Sequence, residues 1–185
     1  PSEILSLTSF SGPDYYVIGD DNLSTSIIPD LSISGRLITS SMIRKNSTSQ
    51  SIPSGGTPTP IEFDTPIYCS GNDISFDGNT KKFTIHSKGL YQFSGQITFD
   101  GGVASGSRVI CFRDNSASST CYGKDERDHR GGLGVRLISS SIIYYDGSNP
   151  TPYEIIFEAK NFGTSNNNIG TVSDEPTYIS VVKLS

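Results

Sequence analysis

The sequence contains no tryptophan, a single methionine and only two histidines, His86 and His129, among 185 residues. Nucleophilic catalysis by Ser or Cys therefore has little access to its commonest base, and no Gly-x-Ser-x-Gly elbow is present. Zinc-spaced Cys/His sets, a phosphate-cradling glycine loop and an EF-hand loop are missing too. The acidic residues fall mostly in turns, where Asp is at home without any catalytic duty. These absences point away from an enzyme, and the chain is expected to need no cofactor. No apolar run approaches the roughly 18 residues of a membrane span, so insertion into a bilayer is not expected. Positive charge is also short, with 14 Lys and Arg against 19 Asp and Glu and a net charge of −5. A nucleic-acid surface needs clustered Lys and Arg, so no nucleic-acid partner is expected for this chain.

What is present is polar and β-prone. Hydrophobic residues make up 34% of the chain, and Ser, Thr, Asn and Gly dominate the remainder. That mixture suits antiparallel strands with one dry face and excludes a buried parallel sheet. From Leu90 onward, Tyr91, Phe93, Gly95, Ile97 and Phe99 alternate with Gln92, Ser94, Gln96 and Thr98, the period of two that marks a half-buried strand. Lys82–His86 reads as a second strand, and Ser87-Lys88-Gly89 as a turn, so the two are expected to form a hairpin. Further strands are expected at Ser107–Arg113, Val135–Tyr145, Tyr153–Lys160 and Thr177–Leu184. Both faces of the last look partly covered, which suits a central position or a subunit interface. Residues 1–45 are read as an N-terminal arm or connector with a first or edge strand near Arg36–Lys45, and residues 46–185 as one head domain. Eight to ten short strands at this spacing imply an all-β, antiparallel jelly-roll β-sandwich.

One stretch resembles a known family. Phe76, Phe83, Gly89, Tyr91 and Phe93, at their spacing, are similar to the second half of the signature of the C1q head, within the tumour necrosis factor-like jelly rolls. Pro60–Asp64 resembles that family's opening strand, and Thr177–Leu184 its closing strand. Two departures stand out: the gap from Phe63 to Phe76 is about two residues longer than the signature, and Gly95 occupies an aromatic position. The resemblance implies a homotrimer, with Tyr91 and Phe93 in the core or at its threefold side, and Tyr178 and Val182 on the closing strand near them. It also implies a partner-binding end formed by loops that include Gly101, Gly102, Asn166, Asn167 and Asn168.

Other candidates come from the residues themselves. Lys124–Arg130 alternates in sign, and Asp125, Glu126 and Asp128 offer oxygen ligands for Ca²⁺, which C1q-like heads often bind. A solvated loop or a set of inter-subunit ion pairs explains the same pattern. Cys111 and Cys121 lie symmetrically about Ser116, placed either to form a disulfide across a hairpin or to act as two small buried hydrophobes. Asn22-Leu-Ser24 and Asn46-Ser-Thr48 match the N-glycosylation pattern at a frequency close to chance. Among the nine tyrosines, Tyr15, Tyr16, Tyr144, Tyr145 and Tyr153 are interface or sugar-shelf candidates. The expectation is a non-enzymatic trimeric surface or attachment head that binds a receptor or glycan, extracellular or on a virion surface. A jelly-roll capsid or capsid-decorating subunit and a monomeric carbohydrate-binding module are the alternatives.

Overall fold

The computed structural model describes residues 40–101, 105–115, 120–129, 134–148, 152–170 and 176–184. The described residues form β1 (Ser41–Lys45), β2 (Gln50–Ile52), β3 (Thr59–Pro60), β4 (Thr65–Ser70), β5 (Ile74–Asp77), β6 (Lys82–Ile85) and β7 (Gly89–Phe99). They continue with β8 (Gly106–Asp114), β9 (Cys121–His129), β10 (Val135–Tyr145), β11 (Tyr153–Asn161), β12 (Asn167–Ile169) and β13 (Tyr178–Lys183). Ten of these strands have four or more residues, in line with the sequence reading, and none of the described residues is helical, so no helix there could cross a membrane.

The strands form two antiparallel sheets packed as a jelly-roll sandwich. Sheet A runs β4-β1-β13-β7-β10, with β12 and β2 continuing it beside the end of β7. Sheet B runs β5-β6-β11-β8-β9, with β3 on β11. The alternation in Leu90–Phe99 resolves as expected: Tyr91, Phe93, Ile97 and Phe99 are fully buried between the sheets. Phenylalanines bridge the layers. Phe93 of sheet A lies 5.5 Å from Phe112 of sheet B, ring centre to ring centre, and Phe112 stacks on Phe157 at 4.5 Å. Gly95, which departs from the C1q-like pattern, is explained by that stack. A Cβ on Gly95 would stand 2.6 Å from the Phe157 ring, so a larger residue has no room there.

Several expectations are corrected. The strands β6 and β7 do not pair; β6 lies in sheet B between β5 and β11, whereas β7 lies in sheet A between β13 and β10. Ser87–Gly89 is therefore a corner between sheets rather than a hairpin turn. Period two reports which face is dry but not which strand lies alongside. The strand at Ser41–Lys45 pairs with β13 and β4 inside sheet A, so the jelly roll begins ahead of residue 46. Residues 1–39, read as most of an arm, lie outside the described residues. The charge-rich run after Cys121 is strand β9, paired with β8, rather than a loop. Within the expected loop from Phe162 to Pro176, Asn167–Ile169 form β12.

Candidate self-association face and the other predicted sites

Pairing fixes which side chains leave sheet A on the side away from the core, because directly opposed residues point the same way. Gln92 sits opposite both Val182 and Ile142, Gln96 opposite Tyr178 and Ile138, and Leu90 opposite Tyr144. Ile43, opposite Ser180, is also opposite Tyr68 of the edge strand β4. Every one of these rows alternates with the buried rows built on Tyr91, Phe93 and Ile97, so the whole set faces outward. Across five strands spaced about 4.8 Å apart and six residues of about 3.3 Å each, the face measures roughly 20 Å by 20 Å.

This face is unusually apolar for a surface. Ile138 is 54% exposed, Ile142 61% and Tyr144 65%, and Leu90 and Tyr68 are exposed beside them. Tyr178, Val182 and Leu184 are half-buried. Single exposed hydrophobes are ordinary, but a contiguous group on one sheet face marks a place where another surface docks. Its middle row is small and polar: Ser94 and Ser140 share a hydrogen bond of 3.0 Å, with Ser180 next in line. The face is thus shallow at its centre and bulky above and below.

Of the four residues expected at a threefold contact, Tyr178 and Val182 lie on this face. Tyr91 and Phe93 do not, because their position in the alternation turns them into the core. Tyr91 instead anchors the sheet corner, its hydroxyl donating to the Ser87 carbonyl at 2.8 Å. Ser87 in turn donates to Asp73 at 2.6 Å, and Lys183 lies 3.4 Å from the same carboxylate. The Ser87 bond, then the Ser40 bond and the Lys183 charge, outweigh burial and hold the Asp73 carboxyl below its ordinary range. This network ties β13 to the corner and is structural. The residues that sequence reasoning missed, Leu90, Ile138 and Ile142, carried a signal in retrospect: apolar residues at the polar phase of β7 and β10.

The other predicted sites resolve differently. Asp125, Glu126 and Asp128 do not converge, since on a strand Asp125 points to the side opposite Glu126 and Asp128. Glu126 is taken by Lys124 at 2.5 Å and Ser107 at 2.7 Å, and Asp125 accepts from the Ile138 amide. Among the described residues no three metal-ligating side chains form a group, so the Ca²⁺ expectation loses its geometry. Gly102 lies outside the described residues. Asn167 is buried within β12, whereas Asn166 and Asn168 are exposed, Asn166 accepting from the Ser54 amide. Cys111 and Cys121 are free thiols on the neighbouring strands β8 and β9, the first buried and the second exposed, with Cys121 opposite Arg113. Asn46 is buried and its side chain accepts from the Thr48 amide, which removes it as a glycosylation acceptor. Tyr145 and Tyr153 are buried and stacked at 4.9 Å, leaving Tyr144 as the exposed member of the tyrosine set. Tyr15, Tyr16 and Asn22 lie outside the described residues.

No family model and no curated protein matches the chain. Solved structures do. Murine APRIL matches with a TM-score of 0.60 at 12% identity, over 78% of this chain and 98% of that one. Eiger TNF from S. frugiperda matches with a TM-score of 0.57 at 10% identity, over 82% of this chain and 94% of that one. PRD1 vertex protein P5 matches with a TM-score of 0.54 at 15% identity, over 80% of this chain and 99% of that one. At such identities the likeness is one of fold, and the fold of this chain is the TNF-like jelly roll that the motif around Phe76–Phe93 resembles.

Proposed function

We propose that the chain is a non-enzymatic homotrimeric head, displayed extracellularly or on a virion surface, that attaches to a receptor or glycan. The observation that carries the reading is the apolar outward face of sheet A, where Leu90, Ile138, Ile142 and Tyr144 are exposed together beside Tyr178 and Val182. Three copies packed around an axis cover such a face and leave the charged outer face of sheet B in water. The vertex protein among the fold neighbours supports a second reading, a structural subunit at a particle vertex or shell.

Sedimentation equilibrium of the purified chain at low and high concentration tests the reading. The expected mass is three times 19.9 kDa, unaltered by a calcium chelator. A monomer at all concentrations would overturn it and favour a single carbohydrate-binding module, whereas a large closed particle would favour the shell subunit.

A further inference from the structure

A pocket of about 220 Å³ opens at the side of the sandwich, between β1, the β5–β6 turn and the segment leading into β4. Its lining includes Arg44, Glu62, Phe63, Asp64, Phe76 and Lys81. The Arg44 guanidinium is held twice. Its Nε donates to the Phe63 carbonyl at 2.9 Å, and its carbon sits 4.5 Å from the centre of the Phe76 ring. Neither Nη atom bonds a protein atom among the described residues. A planar fork fixed by stacking, with its outer edge open, matches a carboxylate.

The surrounding charges narrow the choice. Asp64 accepts from the Ser47 amide and from the hydroxyls of Ser47, Thr48 and Thr65. Burial pushes its carboxyl up, but these bonds outweigh burial and hold it below its ordinary range. Asp64 is therefore occupied. Glu62 and Lys81 form a loose pair at 3.3 Å, both partly exposed. Side by side they offer an acceptor and a donor, the combination that hydroxyl groups satisfy from both directions. Lys81 also adopts φ +61°, the only positive φ of a non-glycine among the described residues. Glycine or asparagine would take that conformation more cheaply, so the lysine is kept at a cost to the backbone. The volume lies below the roughly 300–1,000 Å³ of drug-sized sites, room for one ring rather than an oligosaccharide.

We infer that this pocket binds a carboxylate-bearing monosaccharide unit, its carboxylate on the Arg44 fork and its hydroxyls on Glu62 and Lys81. The inference rests on the glycan-attachment reading above and supplies its ligand class. The test is titration calorimetry of the purified chain with sodium glucuronate and N-acetylneuraminate, and with glucose, acetate and alanine as controls. One of the two acidic sugars is expected to bind at millimolar affinity, with each control at least about ten-fold weaker. Lys81→Gly suits the positive φ and should keep or raise thermal stability while weakening sugar binding at least about five-fold. Absence of binding by both acidic sugars at 20 mM or so, equal binding of alanine, or unchanged affinity in Lys81→Gly would each overturn the inference. Sedimentation of the same samples separates the two readings. A trimer that binds neither sugar sinks the pocket alone, and a monomer that binds one sinks the trimer alone.

Discussion

The two outer faces of the sandwich share one core and differ in almost everything else. Sheet A presents Leu90, Ile138, Ile142, Tyr144 and Val182 with serines between them. Sheet B presents ion pairs: Lys82 with Glu154 at 2.7 Å and Arg113 with Glu158 at 2.8 Å across strands, and Lys124 with Glu126 at 2.5 Å along β9. Both faces occupy the polar phase of half-buried strands, so strand geometry does not explain the contrast. A sheet that ends in water needs only polar residues at that phase. A sheet with apolar residues there fits the proposed assembly, in which another molecule would supply the second dry cover.

The largest expected effect follows from placing a charge at the middle of the apolar face. Ile142→Asp buries an unpaired carboxylate in every subunit of an assembly, at about 3 kcal/mol each. Sedimentation should then show association weakened by more than about 100-fold in favour of the monomer, with the circular dichroism of the sandwich retained. An assembly that survives this change would place the contact elsewhere and erase the contrast between the faces. The same substitution logic leaves sheet B unmoved, since a charge there joins others.

A gain of stability is expected on sheet B from Cys111 and Cys121. Cys121 is exposed and open to attack on glutathione disulfide; Cys111 then displaces glutathione from the mixed disulfide. Two protein thiols give one protein disulfide and two molecules of glutathione. Cys111 donates to Glu158 at 3.6 Å, and burial, followed by the neighbouring Cys121, pushes its thiol well up, so the closing step should be slow near neutral pH. Intact mass should fall by two hydrogens, and thermal unfolding should shift up by several degrees. A mixed disulfide that persists at Cys121 would mean the two strands hold the thiols apart.

A smaller loss is expected at Glu158, which is buried while its partner Arg113 is partly exposed. Glu158→Gln keeps the shape but removes the charge that Arg113, Lys160 and the Cys111 thiol share. Because water reaches Arg113, the cost should be about 1–2 kcal/mol, read as a lower urea midpoint at fixed protein concentration. No change would mean the ion pairs of sheet B decorate the face without supporting it.

How far these faces could be read from sequence depends on what each feature needs. The alternation Tyr91–Phe99 needs only local spacing, and it gave strand, dry face and core residues together. The partner of that strand depends on closure of the whole sandwich, so Lys82–Ile85 looked like its hairpin mate although it belongs to the other sheet. The resemblance places Tyr91 and Phe93 in the core or at the threefold side without choosing between them, and their phase in the alternation puts them in the core. Ile138 and Ile142 stand on the outward phase of β10, but a strand with Ser139-Ser140-Ser141 at its middle reads as wet from sequence. Asp125, Glu126 and Asp128 resembled a ligand loop because their spacing is dense, and the strand scatters them to opposite sides.

The smallest effect belongs to Lys124 and Glu126, the most exposed of the sheet B pairs, with both side chains about half in solvent. Their separation of 2.5 Å suggests a strong bond on distance alone. Exposure argues otherwise, since water and salt compete for both charges and the long side chains lose freedom in pairing. Lys124→Ala should therefore change stability by no more than about 0.5 kcal/mol, and that small change should vanish at high salt. It should also leave the sedimentation mass untouched, because β9 lies in the charged sheet. A mass change on this substitution would show that a neighbouring subunit reads the charge pattern of β9, and the solvated face would then be a second contact.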